Sequence, residues 1–226
     1  MPAIKKETSG EATIYTLRNT KGNELKVSDF GARAMSLRFR DKNFTNQFLL
    51  KESNVFVDGV DDFAKILWQA EETLEGIKFT STLGNKSATV IYSISNDNEI
   101  SIKYETTGIN DISTQMIFAL ADVDFRACQK GAAWEKISEE KIYPVTETAE
   151  VEMELGMFGY DPGCPIDYLN AGLKNAANLY SAAASIDVIV YATQDKIHAQ
   201  AVDGGIALKT SGAASGQTVY MIKNRK

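Results

Sequence analysis

Asp122 and Asp124, in "ALADVDFRA", are two residues apart, so in an extended chain both carboxylates point to one face. Two acids so placed can share a proton, ligate a hard cation or accept hydrogen bonds from sugar hydroxyls. The alternative is a solvated face beside Arg126. His198, the only histidine of the chain, stands in "DKIHAQAVDGG", and histidine is the side-chain type best suited to acid or base work; the alternative is a surface or hydrogen-bonded strand residue. Lys209, in "GIALKTSG", becomes a base if burial lowers its pKa. Alternation with Ile206 and Leu208 puts it on the face opposite those apolar residues, either a binding face or solvent. Asp203 and Glu72 complete the ionisable candidates. Of the two tryptophans, Trp68 in "KILWQ" reads as core, whereas Trp134 in the polar "KGAAWEKISEE" reads as exposed and available to stack on a pyranose ring. The acidic clusters "EETLEG" and "ISEEKI" read as solvated turns.

Several chemistries are excluded or unsupported. A net charge of −6 offers no basic surface for nucleic acid. Cys128 and Cys164 with one histidine do not make an ordinary zinc site, and two free thiols suit a cytoplasmic protein. "VDGGIALKTSG" lacks the spacing of a phosphate loop, so no nucleotide, metal or redox cofactor is expected. No apolar run approaches the roughly 18 residues that a membrane helix needs, and the first residues lack the apolar middle of a secretory signal.

The elements that must position these residues are strands. "EATIYTLRN", the turn "TKGN" and "ELKVSDF" read as a hairpin. "GIKFTSTLGNKSATVIYSISNDNEISIKYETTG" reads as a three-stranded antiparallel meander, with Ile100, Ile102 and Tyr104 alternating against polar neighbours. "STQMIFALADVDF", "KIYPVTE", "IDVIVYATQ", "KIHAQAVDGGIALKTS" and "QTVYMIKN" follow, and helical spacing occurs only around "GLKNAANLYSAAA". Many short strands and scarce helix predict an all-β antiparallel sandwich, and 226 residues with 44% hydrophobic content suit a single domain over 1–226. "GYDPGCP" is a Pro- and Gly-punctuated loop.

One stretch, "VSDFGARAMSLRFRDKN", places a Gly-Ala pair between two strand-like runs. Gly31 lets the backbone bend or take positive φ, and Ala32 keeps the corner thin. This step resembles the Phe-Gly-Ala or Tyr-Gly-Ala corner of aldose 1-epimerases and the wider galactose mutarotase-like superfamily. "FAKILWQAEE", "YSISNDNEISIKYETTGINDIST", "EKIYPVTETAEV", "GYDPGCPIDYLN" and "DGGIALKTSG" are similar to later family segments in the same order, from about Thr13 to Lys223.

The resemblance implies a mutarotase-like supersandwich that binds a monosaccharide or oligosaccharide on a concave sheet face. Family members open and close the hemiacetal ring with a glutamate base and a histidine acid. Here the base position, in Leu208-Lys209-Thr210, holds lysine, and the acid position falls at Ala121 with Asp122 beside it. The segment carrying a second histidine and an arginine is replaced by "FTNQFLLKESNVFVDGVDD", and "NAGLKNAANLY" has no acid where the family has a substrate-binding aspartate. The resemblance therefore implies carbohydrate binding with impaired or absent mutarotase activity. Alternatives are an epimerase with a shifted set, Lys209 and Asp122, or a protein-interaction module on the same fold. Candidate substrate ligands are Asp124, Trp134, Asp167 and His198. The sequence leaves the oligomeric state open.

Overall fold

A computed structural model describes residues 2–58, 62–129, 131–146 and 171–225. Among these residues the chain forms eighteen strands and one 3-10 turn, Asp62–Lys65. The first sheet is an antiparallel meander of β1 (Ala3–Ser9), β2 (Ala12–Arg18), β3 (Glu24–Ser28), β4 (Arg33–Arg40) and β5 (Asn46–Phe48) in that order. The strands that follow are β6 (Leu50–Val57), β7 (Gln69–Glu72), β8 (Ile77–Leu83), β9 (Lys86–Ile94), β10 (Glu99–Thr107), β11 (Ile112–Phe118), β12 (Val123–Ala127) and β13 (Lys141–Pro144). The last five are β14 (Lys174–Ser181), β15 (Ile186–Ala192), β16 (Lys196–Val202), β17 (Gly205–Ser211) and β18 (Gly216–Asn224). They build an eight-stranded sheet, β12-β14-β15-β18-β10-β9-β8-β7, and a five-stranded sheet, β13-β16-β17-β11-β6.

The predicted sandwich and its scarcity of helix are what the structure has. The meander β8-β9-β10 forms because alternation gives each strand one apolar face: Ile100, Ile102 and Tyr104 are buried while Ser101 and Lys103 are not. Asn98 at φ 68 closes one of its turns and Gly84 at φ 62 the other. β15, in the interior of the sheet, is buried along its whole length, which fits its unbroken apolar run "VIVYA".

The eight-stranded and third sheets pack face to face: the Phe118 and Tyr220 rings lie 5.3 Å apart and Thr210 and Thr218 share a 2.7 Å hydrogen bond. The first sheet joins the same core through Tyr15, Phe79 and Tyr92, whose rings follow one another at 5.9 and 6.1 Å.

The Gly-Ala corner is a paired bend. Gly31 has φ 74 and Ala32 φ 46. A Cβ on Gly31 would lie 2.5 Å from the Ala64 carbonyl oxygen, so the turn Asp62–Lys65 approaches the backbone where only glycine fits. The Tyr92 hydroxyl donates to the Ala32 carbonyl at 2.8 Å and fixes the corner to the eight-stranded sheet. Beyond β4, Asp41 accepts hydrogen bonds from the Asn43 and Thr45 amides, which makes "DKN" a turn.

One expectation is corrected. "GLKNAANLYSAAA" is not helical: Lys174–Ser181 is β14, paired with β12 on one side and β15 on the other. Ladders on both edges pair its backbone and its side chains are mostly buried, which outweighs the helical preference of its alanines. A bulge between Asn175 and Ala177 breaks the alternation that would have marked it as a strand. No helix among the described residues is long and apolar enough to cross a membrane.

Candidate functional site

The site is built on the face of the eight-stranded sheet turned away from the core. Phe125 and Ala127 of β12 enter the core, so alternation turns Asp124, Arg126 and Cys128 the other way. β14 sets Tyr180 opposite Asp124 and Asn178 opposite Arg126. On the other edge of β12 a single bridge pairs Phe125 with Glu135, through amide-to-carbonyl bonds of 2.9 and 2.8 Å. Its neighbours Trp134 and Lys136 therefore share the face of Arg126 and Asp124. The Lys136 ammonium bears this out, 2.7 Å from Asp122 and 3.0 Å from Asp124. Two cross-strand rows result, Trp134-Arg126-Asn178 and Lys136-Asp124-Tyr180. Glu135 points to the opposite side, where Lys141 and the Tyr143 hydroxyl bind its carboxylate.

This face is buried around Arg126, which is 6% exposed. The Cys128 thiol donates to Asn175 Oδ1 at 2.8 Å and accepts from Asn178 Nδ2 at 3.1 Å, fixing both buried amides. Arg126 Nε and Asn175 Nδ2 have no hydrogen-bond partner among the described residues. Unmet buried donors are costly, a guanidinium most of all. Leu173, Ile189, Tyr191, Val219 and Met221 form a separate apolar cluster, and the β14-β15-β18 register places its strand residues on the same face. Trp134 remains 38% exposed. Asp122 and Lys136 also line a partly open cavity of about 310 Å³, separate from Arg126, whose other wall is the β16–β17 turn at Gly204 and Gly205. That is the lower range for small-ligand pockets, about 300 Å³ and above.

The electrostatics favour binding over proton transfer. The hydrogen bond to Asp122, then that to Asp124, raises the Lys136 pKa above its ordinary value of 10.5, so the ammonium keeps its proton at neutral pH. The Lys141 hydrogen bond, then that of Tyr143, holds the Glu135 carboxyl below its usual range. Among the described residues no cluster of three His, Cys, Asp or Glu side chains could hold a metal, and the Lys136 ammonium sits between the two aspartates.

The structure brings Asp122, Asp124 and Trp134 together and sets His198 and Lys209 elsewhere. Those two face each other across β16 and β17, and Lys209 also faces Gln115 of β11, all in the third sheet. His198 is bound on both ring nitrogens, Nδ1 to Glu140 at 3.0 Å and Nε2 to Ser211 at 2.9 Å. That connectivity is the one a serine nucleophile would use, but the adjacent Gly212 amide is donated to Asp111 rather than left for an oxyanion. No hydrogen bond or ion pair joins Lys209 to Asp122 among the described residues. Asp203 accepts from Lys51 through its carbonyl, and Glu72 pairs with Lys6 at 2.8 Å. Trp68 is core, its indole donating to the Phe63 carbonyl at 2.8 Å. Asp167 and Cys164 lie outside the described residues.

Sequence reasoning missed Arg126, Cys128, Asn175 and Asn178. Alternation from Asp124 was a usable signal for Arg126 and Cys128; the helical reading of β14 hid the asparagines.

This architecture is the galactose mutarotase-like fold. An aldose epimerase homologue from C. elegans superposes with a TM-score of 0.70 at 11% identity, covering 99% of this chain and 100% of its own. A galactose mutarotase-like protein from Clostridium acetobutylicum gives 0.65 at 9% identity over 99% of both chains. A galactose 1-epimerase from Lactobacillus acidophilus gives 0.60 at 11% identity, covering 100% of this chain and 99% of its own. No family model matches the chain, and no curated protein matches it in sequence.

Proposed function

We propose that this protein binds carbohydrate on the outer face of the eight-stranded sheet, with impaired or absent mutarotase activity. The observation that carries the reading is the row Trp134-Arg126-Asn178 beside Asp124. An exposed indole supplies a stacking surface for a pyranose ring, while a guanidinium, an amide and a carboxylate supply the donors and acceptors that hydroxyls require. The fold supports it by likeness, since the proteins it superposes on include one described as a galactose 1-epimerase.

The arrangement argues against fast ring opening. Mutarotation needs a base at the anomeric hydroxyl and an acid at the ring oxygen, each within hydrogen-bond reach and with a pKa near the working pH. Lys136 is a poor acid at neutrality, and both aspartates are committed to it. His198 is held by Glu140 and Ser211 on another sheet. In the shifted pair, Lys209 belongs to β17 of the third sheet and Asp122 to the bend that precedes β12.

The test pairs polarimetry with equilibrium binding. Freshly dissolved α-glucose and α-galactose are expected to relax at the spontaneous rate in the presence of the protein, and a saccharide panel is expected to contain at least one saturable ligand. An accelerated rate that falls in Lys209→Ala would replace this reading with a rebuilt epimerase. A protein that neither accelerates nor binds any sugar would favour an interaction module.

A further inference from the structure

We infer that the saccharide held on this face carries an oxyanion substituent, a carboxylate or a phosphate, and that Arg126 receives it; this rests on the carbohydrate reading above. Arg126 is 6% exposed, and its Nε has no partner among the described residues. The carboxylates nearest along the chain are engaged, since Asp122 and Asp124 share Lys136. The buried Asp187, on β15, lies toward Arg225, 3.9 Å from its Nε. Arg126 is thus a largely buried guanidinium whose Nε is unmet and which has no paired anion among the described residues, a state that a ligand oxyanion would relieve.

The second unmet group points the same way. Asn175 Oδ1 is taken by the Cys128 thiol, which leaves Nδ2 as the free end of that amide. Both of these unmet atoms are donors, and the unmet acceptor on this face, Asp187 Oδ1, lies two strands away from β12 on β15. A sugar hydroxyl brings a proton of its own to such a site, whereas carboxylate and phosphate oxygens bring only acceptors and match the planar fork of arginine. Cys128 is a positioning residue here, because it orients both asparagines.

The experiment measures binding by calorimetry for glucose and galactose, their uronates and their 6-phosphates, on the wild type, Arg126→Gln and Arg126→Lys. Charge-assisted hydrogen bonds lead us to expect one acidic series, uronate or phosphate, to bind roughly ten- to hundredfold more tightly than the parent sugar. Arg126→Gln is expected to abolish that preference, so that on this variant the acidic sugar binds no more tightly than its neutral parent. If Arg126→Gln does not fold, Arg126→Lys keeps a charge without the fork and is expected to reduce the preference. Equal binding of neutral and acidic sugars by the wild type overturns the inference and leaves the carbohydrate reading standing. Failure of all six to bind overturns both.

Discussion

Asp187 shows how one buried carboxyl links structure to a measurable property. Burial raises its pKa above the ordinary 3.8, against the weaker pull of Arg225 and Lys223. For a carboxyl raised in the folded state, the stabilising contribution is present below 3.8 and is lost as pH rises through the folded value. Asp187→Asn is accordingly expected to raise the melting temperature at pH 7, with the gain shrinking as pH falls toward 3.8. A lower melting temperature at pH 7 would mean that pairing with Arg225 outweighs burial. Trp134→Ala belongs to the same scale. Its loss is expected to weaken saccharide binding about three- to tenfold by removing the stacking surface, measured by calorimetry. A half-exposed side chain contributes little to the core, so the melting temperature should move by no more than a few degrees.

At the scale of elements, what the sequence made legible depended on uninterrupted alternation. The meander β8-β9-β10 was readable because Ile100, Ile102 and Tyr104 repeat every second residue between turn residues. β14 was not, because its bulge and its alanines imitate helical spacing while the ladders that decide its state come from distant strands. The segment carrying Trp134 and Lys136 was equally hidden: one bridge to Phe125 fixes it, and a single bridge leaves no periodicity. Three residues of the candidate site were therefore visible, Asp122, Asp124 and Trp134, without the geometry that joins them to Arg126. The Gly-Ala corner was legible as local backbone chemistry, and it carries an expectation. Gly31→Ala adds a methyl 2.5 Å from the Ala64 carbonyl oxygen at φ 74, and chemical denaturation is expected to show a loss of about 1–3 kcal/mol. An unchanged midpoint would mean that the Asp62–Lys65 turn moves aside freely.

Across the whole molecule, the fold and the candidate site rest on separate sets of residues. Buried residues of all three sheets share one apolar cluster, which the strand pattern specifies through many small contributions. The candidate site is placed instead on a few side chains at the β12 edge, outside that cluster. That separation is why the mutarotase-like architecture persists at 9 to 11% identity to proteins superposing at 0.60 to 0.70. It is also why architecture alone does not assign a reaction.

The most direct test of the central claim uses Trp134 as its own reporter. In a Trp68→Phe background it is the only tryptophan, and its emission is titrated with neutral and acidic saccharides. The account expects a saturable change in intensity or wavelength with at least one of them, and no sugar-induced change in emission from the parent protein carrying Trp134→Phe, whose remaining tryptophan is the buried Trp68. A cooperatively folded Trp68→Phe protein whose emission stays constant across the panel would contradict the placement of a carbohydrate site on this face.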